Sequence, residues 1–411
     1  MIPRRAPTER RQKQHMMDEQ RFDGLRDRAE RWVSGPGERW AEHIEESAEA
    51  PRRLWDELAA HGFLRVAAPE EYGGLGLDFP RWMELMEIFS RSHGSVRMIV
   101  HVVNGIWRAM DGHASVEQRE RFVIPSVTGE ITVAFALTEP GNGTGADITA
   151  SVVRDGGTYL LSGRKHLITF GMRCDYYLLA ARVEGTTGHA GTVALLVPRD
   201  APGVRSEDTS RTMGVSGTDH ASLHFDRTPV PLDHRLGAEG EGLEVFLGGF
   251  LTPSRISVAM SCVGLARRAQ QLALEHARAR VTFGKALSER QAVQFMLAEN
   301  AADIEASRQL VLHAARRFEA GADDASMCSS MAKMHAVTML TSVTDKALQI
   351  HGGPGYWKSQ KIERVYRDAR AQRFEEGTNE AQKAVVFREL LRRATATGAE
   401  SGATGRQGEG R

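Results

Sequence analysis

With 411 residues, 41 % of them hydrophobic and 26 % charged, the chain is too long for one ordinary domain and suits two or three globular ones with a large core. Its formal net charge is +0, so no global field draws it to nucleic acid or to a membrane surface.

Residues 1–19 are polar and Arg-rich and read as an N-terminal arm. From Gln20 to residue 130 the pattern is helical: Trp82, Leu85, Met86 and Phe89 share one helix face. AAPEEYGGLGLDFP, 67–80, is a Gly/Pro-rich loop. His101 stands on an otherwise apolar helix, as a satisfied core histidine or as one that lines a pocket. The character changes at 131. ITVAFALT (131–138), TYLLSG (158–163), YYLLAARV (176–183), TVALLVP (192–198) and ASLHF (221–225) are β-rich runs bounded by Gly, Pro and Asp, as in a mostly antiparallel sheet or barrel. RTPVPLDHRLG, 227–237, with its prolines, suits a linker that closes this domain.

Four apolar stripes then follow at helical spacing: Val258, Cys262, Leu265, Ala269 and Leu272; Val293, Leu297, Ala301 and Ile304; Ala332, Ala336, Met339, Val343, Ala347 and Ile350; and Ala384, Phe387 and Leu391. Four such helices make a bundle over 238–395, and the small, polar tail 396–411 is expected to be disordered. The expected class is α+β: an N-terminal α-helical domain (20–130), a middle β-sheet or barrel domain (131–237) and a C-terminal four-helix bundle. Cys174, Cys262 and Cys328 lie far apart with no metal-ligand or disulfide spacing, so no metal is expected and a reducing compartment, the cytoplasm, is. MIPRRAPTERRQKQ lacks the apolar region of a secretory signal. No run is expected to reach the length of a membrane span.

The chemistry gathers in HGGPGYWKSQKIERVYRDARAQRFEEGTNEAQK, 351–383. Gly352, Gly353 and Gly355 let the backbone approach a ligand, and Pro354 stiffens the loop. RVYRDAR reads as a helix, Gly377 as a break and Thr378 as the N-cap of the next helix. Glu375 and Glu376, on the residues alone, are either a solvated helix end or groups beside exposed N–H donors where a phosphate can bind.

HGGPGY, ERVYRDAR and EGTNEAQ together resemble the C-terminal signature of the acyl-CoA dehydrogenase family, and PEEYGGLGL resembles its N-terminal loop. The resemblance covers nearly the whole chain and implies the same three-part fold. It makes the Glu before Gly-Thr, Glu376, the catalytic base; Glu375, its neighbour on the same turn, is expected to point elsewhere and to contribute little to flavin reduction. In ALTEPGNGTGAD, Leu137, Thr138 and Thr144 fall where the family contacts the flavin and the thioester, with Gly145 and Ala146 as an insertion. In GRKHLITFG, Thr169 corresponds to a flavin hydrogen-bonding residue, while Leu167 replaces a frequent Trp and Phe170 a frequent Asn. In ARARVTFGKALSERQ, Arg280 with Phe283 resembles the site where one subunit meets its neighbour's FAD pyrophosphate. Gln291, Gln349, Gly352, Gly353, Thr378 and Glu380 belong to the same cofactor set, and Gly377 and Arg255 to the substrate. In LTPSRI, Thr252 replaces an Asp, and Ser254 stands where some members carry their base. Serine cannot do that work, so Glu376 remains.

The resemblance implies α-proton removal by Glu376, hydride transfer from the β-carbon to flavin N5 and release of a trans-2-enoyl thioester, in fatty-acid or other lipid metabolism. It implies FAD, a homotetramer built as a dimer of dimers, and an electron-transferring flavoprotein as acceptor. The thioester carrier is coenzyme A or an acyl carrier protein. Two other classes stay open: a flavin monooxygenase or oxidase, favoured by Leu167, and a non-catalytic nucleic-acid-binding relative, whose only sign is five Arg/Lys against one acid in residues 1–15.

Overall fold

The structure, a computed structural model, describes residues 9–142, 147–209 and 211–404, with side chains from 19 to 395. Thr144, Gly145 and Ala146 lie outside the described residues, as do 1–8 of the arm and 405–411 of the tail.

Helices α1 (Glu9–Ser34), α2 (Pro36–Ser47), α3 (Arg52–Ala60), α4 (Phe79–Phe89) and α5 (Gly94–Asp111) open the chain, followed by the short α6 (Val116–Gln118) and α7 (Ile124–Thr128). Helix α4 starts where Asp78 accepts the Arg81 amide at 2.8 Å with Pro80 in the first turn, a strong start signal. The expected arm is helical from Glu9, because its Glu, Arg, Gln and Lys are good helix formers.

The middle of the chain is an eight-stranded sheet. Its strands are β1 (Val133–Ala136), β2 (Ser151–Asp155), β3 (Thr158–Thr169), β4 (Tyr176–Val183), β5 (Thr192–Pro198), β6 (Val204–Asp208), β7 (His220–Pro231) and β8 (Arg235–Leu236). The order is β6-β7-β3-β2-β4-β5-β8, with β1 parallel to β4 and β2 also parallel to β4. The segment 227–237, expected as a linker, is mostly strand: Pro229 faces Leu160 and Pro231 faces Thr158. Strand β6 pairs only with residues 221–225. Beyond them β7 has one free edge, where proline's missing N–H leaves no ladder bond unmade.

The rest is helical: α8 (Gly242–Phe246), α9 (Thr252–Ala279), a small hairpin of β9 (Val281–Thr282) and β10 (Lys285–Ala286), then α10 (Gln291–Glu319), α11 (Ala325–His351), α12 (Lys361–Ala371) and α13 (Asn379–Thr404). The stripes on α9 and α11 are buried, apart from half-buried Leu272 at one end. On α10, Ala301 faces outward and Asn300 takes the inward place. On α13 the apolar stripe exists but lies bare, with Phe387 60 % and Leu391 52 % exposed. The expected disordered tail is helical to Thr404, in keeping with its alanines. One run, Gly242–Ala279, does have the length and apolarity of a membrane span, contrary to expectation, yet 72 % of its most apolar window is buried in the bundle.

Two hydrophobic cores result. One joins α1–α5 to the C-terminal bundle, and the other lies under the sheet and α8. Helix α5 belongs to both: Val96 to Val102 sit in the first core, Ile106 to Met110 in the second. Its middle therefore lies at the seam where a cleft can open.

Candidate active site

Helix α12 stops at Ala371 and the chain turns before α13. Glu376 has φ 53° and Gly377 φ 92°, so a non-glycine residue is held in the left-handed region. Three side chains from three helices keep it there. Arg255 Nε (α9) donates to the Glu376 carbonyl at 3.2 Å, and Gln382 Nε2 (α13) donates to the carbonyls of Glu376 and Gly377, both at 3.1 Å. Lys333 Nζ (α11), itself buried, donates to the Gly377 carbonyl. Thr378 then caps α13, its Oγ1 accepting the Ala381 amide at 3.4 Å. Such over-determination offsets backbone strain of about 1–3 kcal/mol.

The two carboxylates on this turn have opposite surroundings. Glu375 meets Arg97 (α5) in a two-pronged pair, 2.7 and 2.8 Å, with the arginine side chain 1 % exposed. Burial alone would raise the Glu375 pKa, but the Arg97 charge and hydrogen bonds outweigh it and hold the group below its ordinary value. Glu375 is thus engaged by Arg97 and neutralises its buried guanidinium, a structural role that the sequence did not reveal. Among the described residues no cation forms an ion pair with Glu376. Its Oε1 accepts from Ser254 Oγ at 2.8 Å. Burial, reinforced by the Glu375 charge, raises its pKa to about 7, against the opposing pull of Ser254, Arg255 and Lys333. A carboxyl poised near neutrality suits a general base.

Above the turn lies a cavity of about 1010 Å³. Phe135, Leu137, Ile168, Phe250 and Leu251 make apolar wall; Thr138, Thr169 and His166 add polar groups; Glu375, Glu376, Gly377 and Thr378 form the floor. The loop carrying Leu137 and Thr138 is anchored by a buried ion pair, Lys165 to Glu139 at 2.8 Å, with Lys165 also donating to the Leu137 carbonyl at 3.0 Å. In β3 the register shifts between Lys165 and Ile168, and Leu167, at φ 58°, turns its 56 %-exposed side chain to the cavity. Phe170 turns inward and packs edge-on against Trp55, ring centroids 4.9 Å apart. A flat apolar ring with a polar rim fits these walls, so the residues present accord with a flavin.

The expected cofactor residues fall into two groups. Leu137, Thr138, Thr169 and Thr378 line the cavity. Arg280, Phe283, Gln291, Gln349, Gly352 and Gly353 do not; they gather at an exposed corner where His276 of α9 stacks on His351 of α11, centroids 4.4 Å apart. Glu380 is exposed on the first turn of α13. Arg255 lies behind the turn, bonded to the Glu376 carbonyl, and is not among the cavity-lining residues, so the structure gives it a supporting place instead of a substrate-facing one. His101 is buried, outside the cavity wall, and bonds Ser254 at 2.9 Å. Sequence reasoning missed Arg97 and Lys333, which are distant in the chain and marked by no motif, and gave no role to Gln382, although it closes the EGTNEAQ run. It set Ser254 aside for lacking basicity, although a hydroxyl can hold a base without being one.

The chain matches the family models of the acyl-CoA dehydrogenase N-terminal domain over residues 18–130, the middle domain over 134–228 and the C-terminal domain over 240–391. It is 34 % identical to the caffeyl-CoA reductase–Etf complex subunit CarC of Acetobacterium woodii, across 86 % of this chain and 93 % of that one. It is 33 % identical to an acyl-CoA dehydrogenase of Bacillus subtilis, across 85 % and 93 %. Among solved structures, butyryl-CoA dehydrogenase from Megasphaera elsdenii superposes with a TM-score of 0.85 at 28 % identity, covering 95 % of this chain and 100 % of its own.

Proposed function

The chain belongs to the acyl-CoA dehydrogenase family, and on that premise we propose how its own residues dehydrogenate an acyl-CoA. The observation that carries the reading is Glu376: a carboxyl with no ion-pair partner among the described residues, at the floor of a largely apolar cavity, with its pKa raised to about 7. Its carboxylate takes the α-proton of the thioester. The apolar walls formed by Phe135, Phe250 and Leu251 exclude water and align the acyl chain. The cofactor is FAD, which when bound supplies the acceptor for the β-hydrogen. Thr138 and Thr169 offer hydroxyls to its polar rim. The product is the trans-2-enoyl thioester.

The carrier is coenzyme A, and the electron acceptor is an electron-transferring flavoprotein, since the relative from Acetobacterium woodii is a subunit of an Etf complex. The assembly is a homotetramer. Support comes from bare apolar surface near Arg280, where Phe283 is 98 %, Tyr356 77 % and Trp357 64 % exposed, and from the uncovered stripe on α13. A cytoplasmic place in fatty-acid metabolism goes with this reading, as three free, buried cysteines suit a reducing compartment.

The test is anaerobic mixing of the FAD-loaded protein with short, branched and aryl-substituted acyl-CoAs. Flavin absorbance should fall with at least one of them, and the matching enoyl-CoA should form in equal amount. Bleaching by none of them, in a protein that holds its FAD, would remove the dehydrogenase assignment.

A further inference from the structure

Glu376 is one end of a hydrogen-bond chain that begins on α5. Ser254 Oγ lies 2.8 Å from Glu376 Oε1 and 2.9 Å from His101 Nε2. A hydroxyl has one hydrogen to give. If the imidazole carried its proton on Nδ1, Nε2 and Oε1 would compete for that hydrogen. The Nδ1–H would then be buried with nothing to bond, because Nδ1 has no partner among the described residues. With the proton on Nε2 both contacts are made: Nε2–H donates to Oγ, and Oγ–H donates to Oε1. Only an Nδ1 lone pair is then left unmatched, in place of an unpaired donor and a contested hydrogen. The Phe250 ring lies parallel to the imidazole within 8°, with centroids 6.5 Å apart.

We propose that His101 and Ser254 are positioning residues for Glu376, forming a one-way chain of donors that fixes its carboxylate by Oε1 and reserves Oε2 for the α-proton of the thioester. No hydrogen bond to Oε2 is present among the described residues. In the step served, the α-C–H bond breaks, its proton forms an O–H bond on Oε2, and its electron pair becomes the α,β double bond as the β-C–H bond breaks, the hydride leaving to the acceptor that FAD would supply. The proposal rests on Glu376 being the base.

His101 does not take the proton onward. Burial, with Arg97 one turn earlier on α5, lowers its pKa to about 3, so it remains neutral. The other charged groups facing Glu376 are Glu375 on its own turn, Arg255 from α9 and Lys333 from α11. Among the described residues, Ser254 alone hydrogen-bonds one oxygen and not the other.

The test is a substrate-free titration of the FAD-loaded enzyme, following the infrared C=O stretch of the protonated carboxyl as the difference between wild type and Glu376→Gln. Ser254→Ala removes a donor that favours the charged form, so its midpoint should rise by about one pH unit. His101→Phe should move it the same way by less, and His101→Gln, which can restore an N–H, should bring it back. Both losses should slow flavin reduction while leaving acyl-CoA binding near wild type. A purely structural role would lower thermal stability without moving the carboxyl titration. An unmoved midpoint in Ser254→Ala overturns the proposal, whatever the activities do, and this small change serves if His101→Phe fails to fold. Should the midpoints shift as expected while no acyl-CoA bleaches the wild-type flavin, the positioning stands and the dehydrogenase assignment fails.

Discussion

At the cavity floor, side chains from α5, α9, α11 and α13 converge on residues 375–377, and both carboxylates of the turn have partners within this one chain. At the Arg280 corner, by contrast, the side chains face outward. Phe283 is 98 % exposed, and no hydrogen bond or ion pair engages the Arg280 side chain among the described residues. The difference follows from what each region must do. A base needs a tuned pKa, which requires enclosure and particular neighbours. A surface that is to meet a second copy must stay open until the copy arrives.

The harshest way to break this comparison is Glu376→Gln. Gln keeps the size and the bond to Ser254 but cannot accept a proton, so flavin reduction should fall by at least about 10²–10⁴-fold with FAD content unchanged. Stopped-flow absorbance of the reducing mixture measures it. Next comes Glu375→Gln, which leaves the Arg97 charge buried with a neutral partner. The loss should be in stability, roughly 3 kcal/mol, read from the urea midpoint. Arg280→Ala tests the open corner: FAD affinity should drop by roughly ten- to a hundredfold, with dissociation of the assembly in gel filtration.

A finer contrast lies in how the two carboxylates link stability to pH. The folded pKa of Glu376 is raised, so its contribution is fully present below pH 4.5 and is lost as pH rises towards 7. That of Glu375 is lowered, so its contribution is present above 4.5 and is lost as pH falls through the folded value. Subtracting each Gln variant's stability curve from the wild type should give slopes of opposite sign. The smallest effect is expected from Leu167→Trp, which covers more of the cavity mouth and should reduce oxygen uptake during turnover, measured with an electrode. A rise in uptake would favour an oxidase reading.

Much of this was legible in the sequence. The helix stripes on α4, α9 and α11 followed from periodicity, because each buries the face that the pattern marks, and β4 and β5 followed from short, continuous apolar runs between turn residues, because both their faces are buried. Strand β6, one of those missed, reads VRSED, with exposed and half-buried residues only, so it carries no apolar alternation to find. The 227–231 strand hid behind prolines that an unpaired edge tolerates. Glu376 was found through its Gly-Thr neighbours. Its setting was not, since Arg97 and Ser254 lie 278 and 122 residues away from their partners in the chain. Contacts made across such distances leave no local spacing to read.

Glu376, and not Glu375, is the carboxyl whose pKa is raised towards neutrality. The most direct measurement is the second-order rate of anaerobic flavin reduction by an acyl-CoA, taken from pH 5.5 to 8.5 in the wild type. It should climb roughly tenfold per pH unit at the acid end, bend near pH 7 and level off above, as the free enzyme's base loses its proton. A flat profile, or a bend near the ordinary carboxyl value of 4.5, would contradict it.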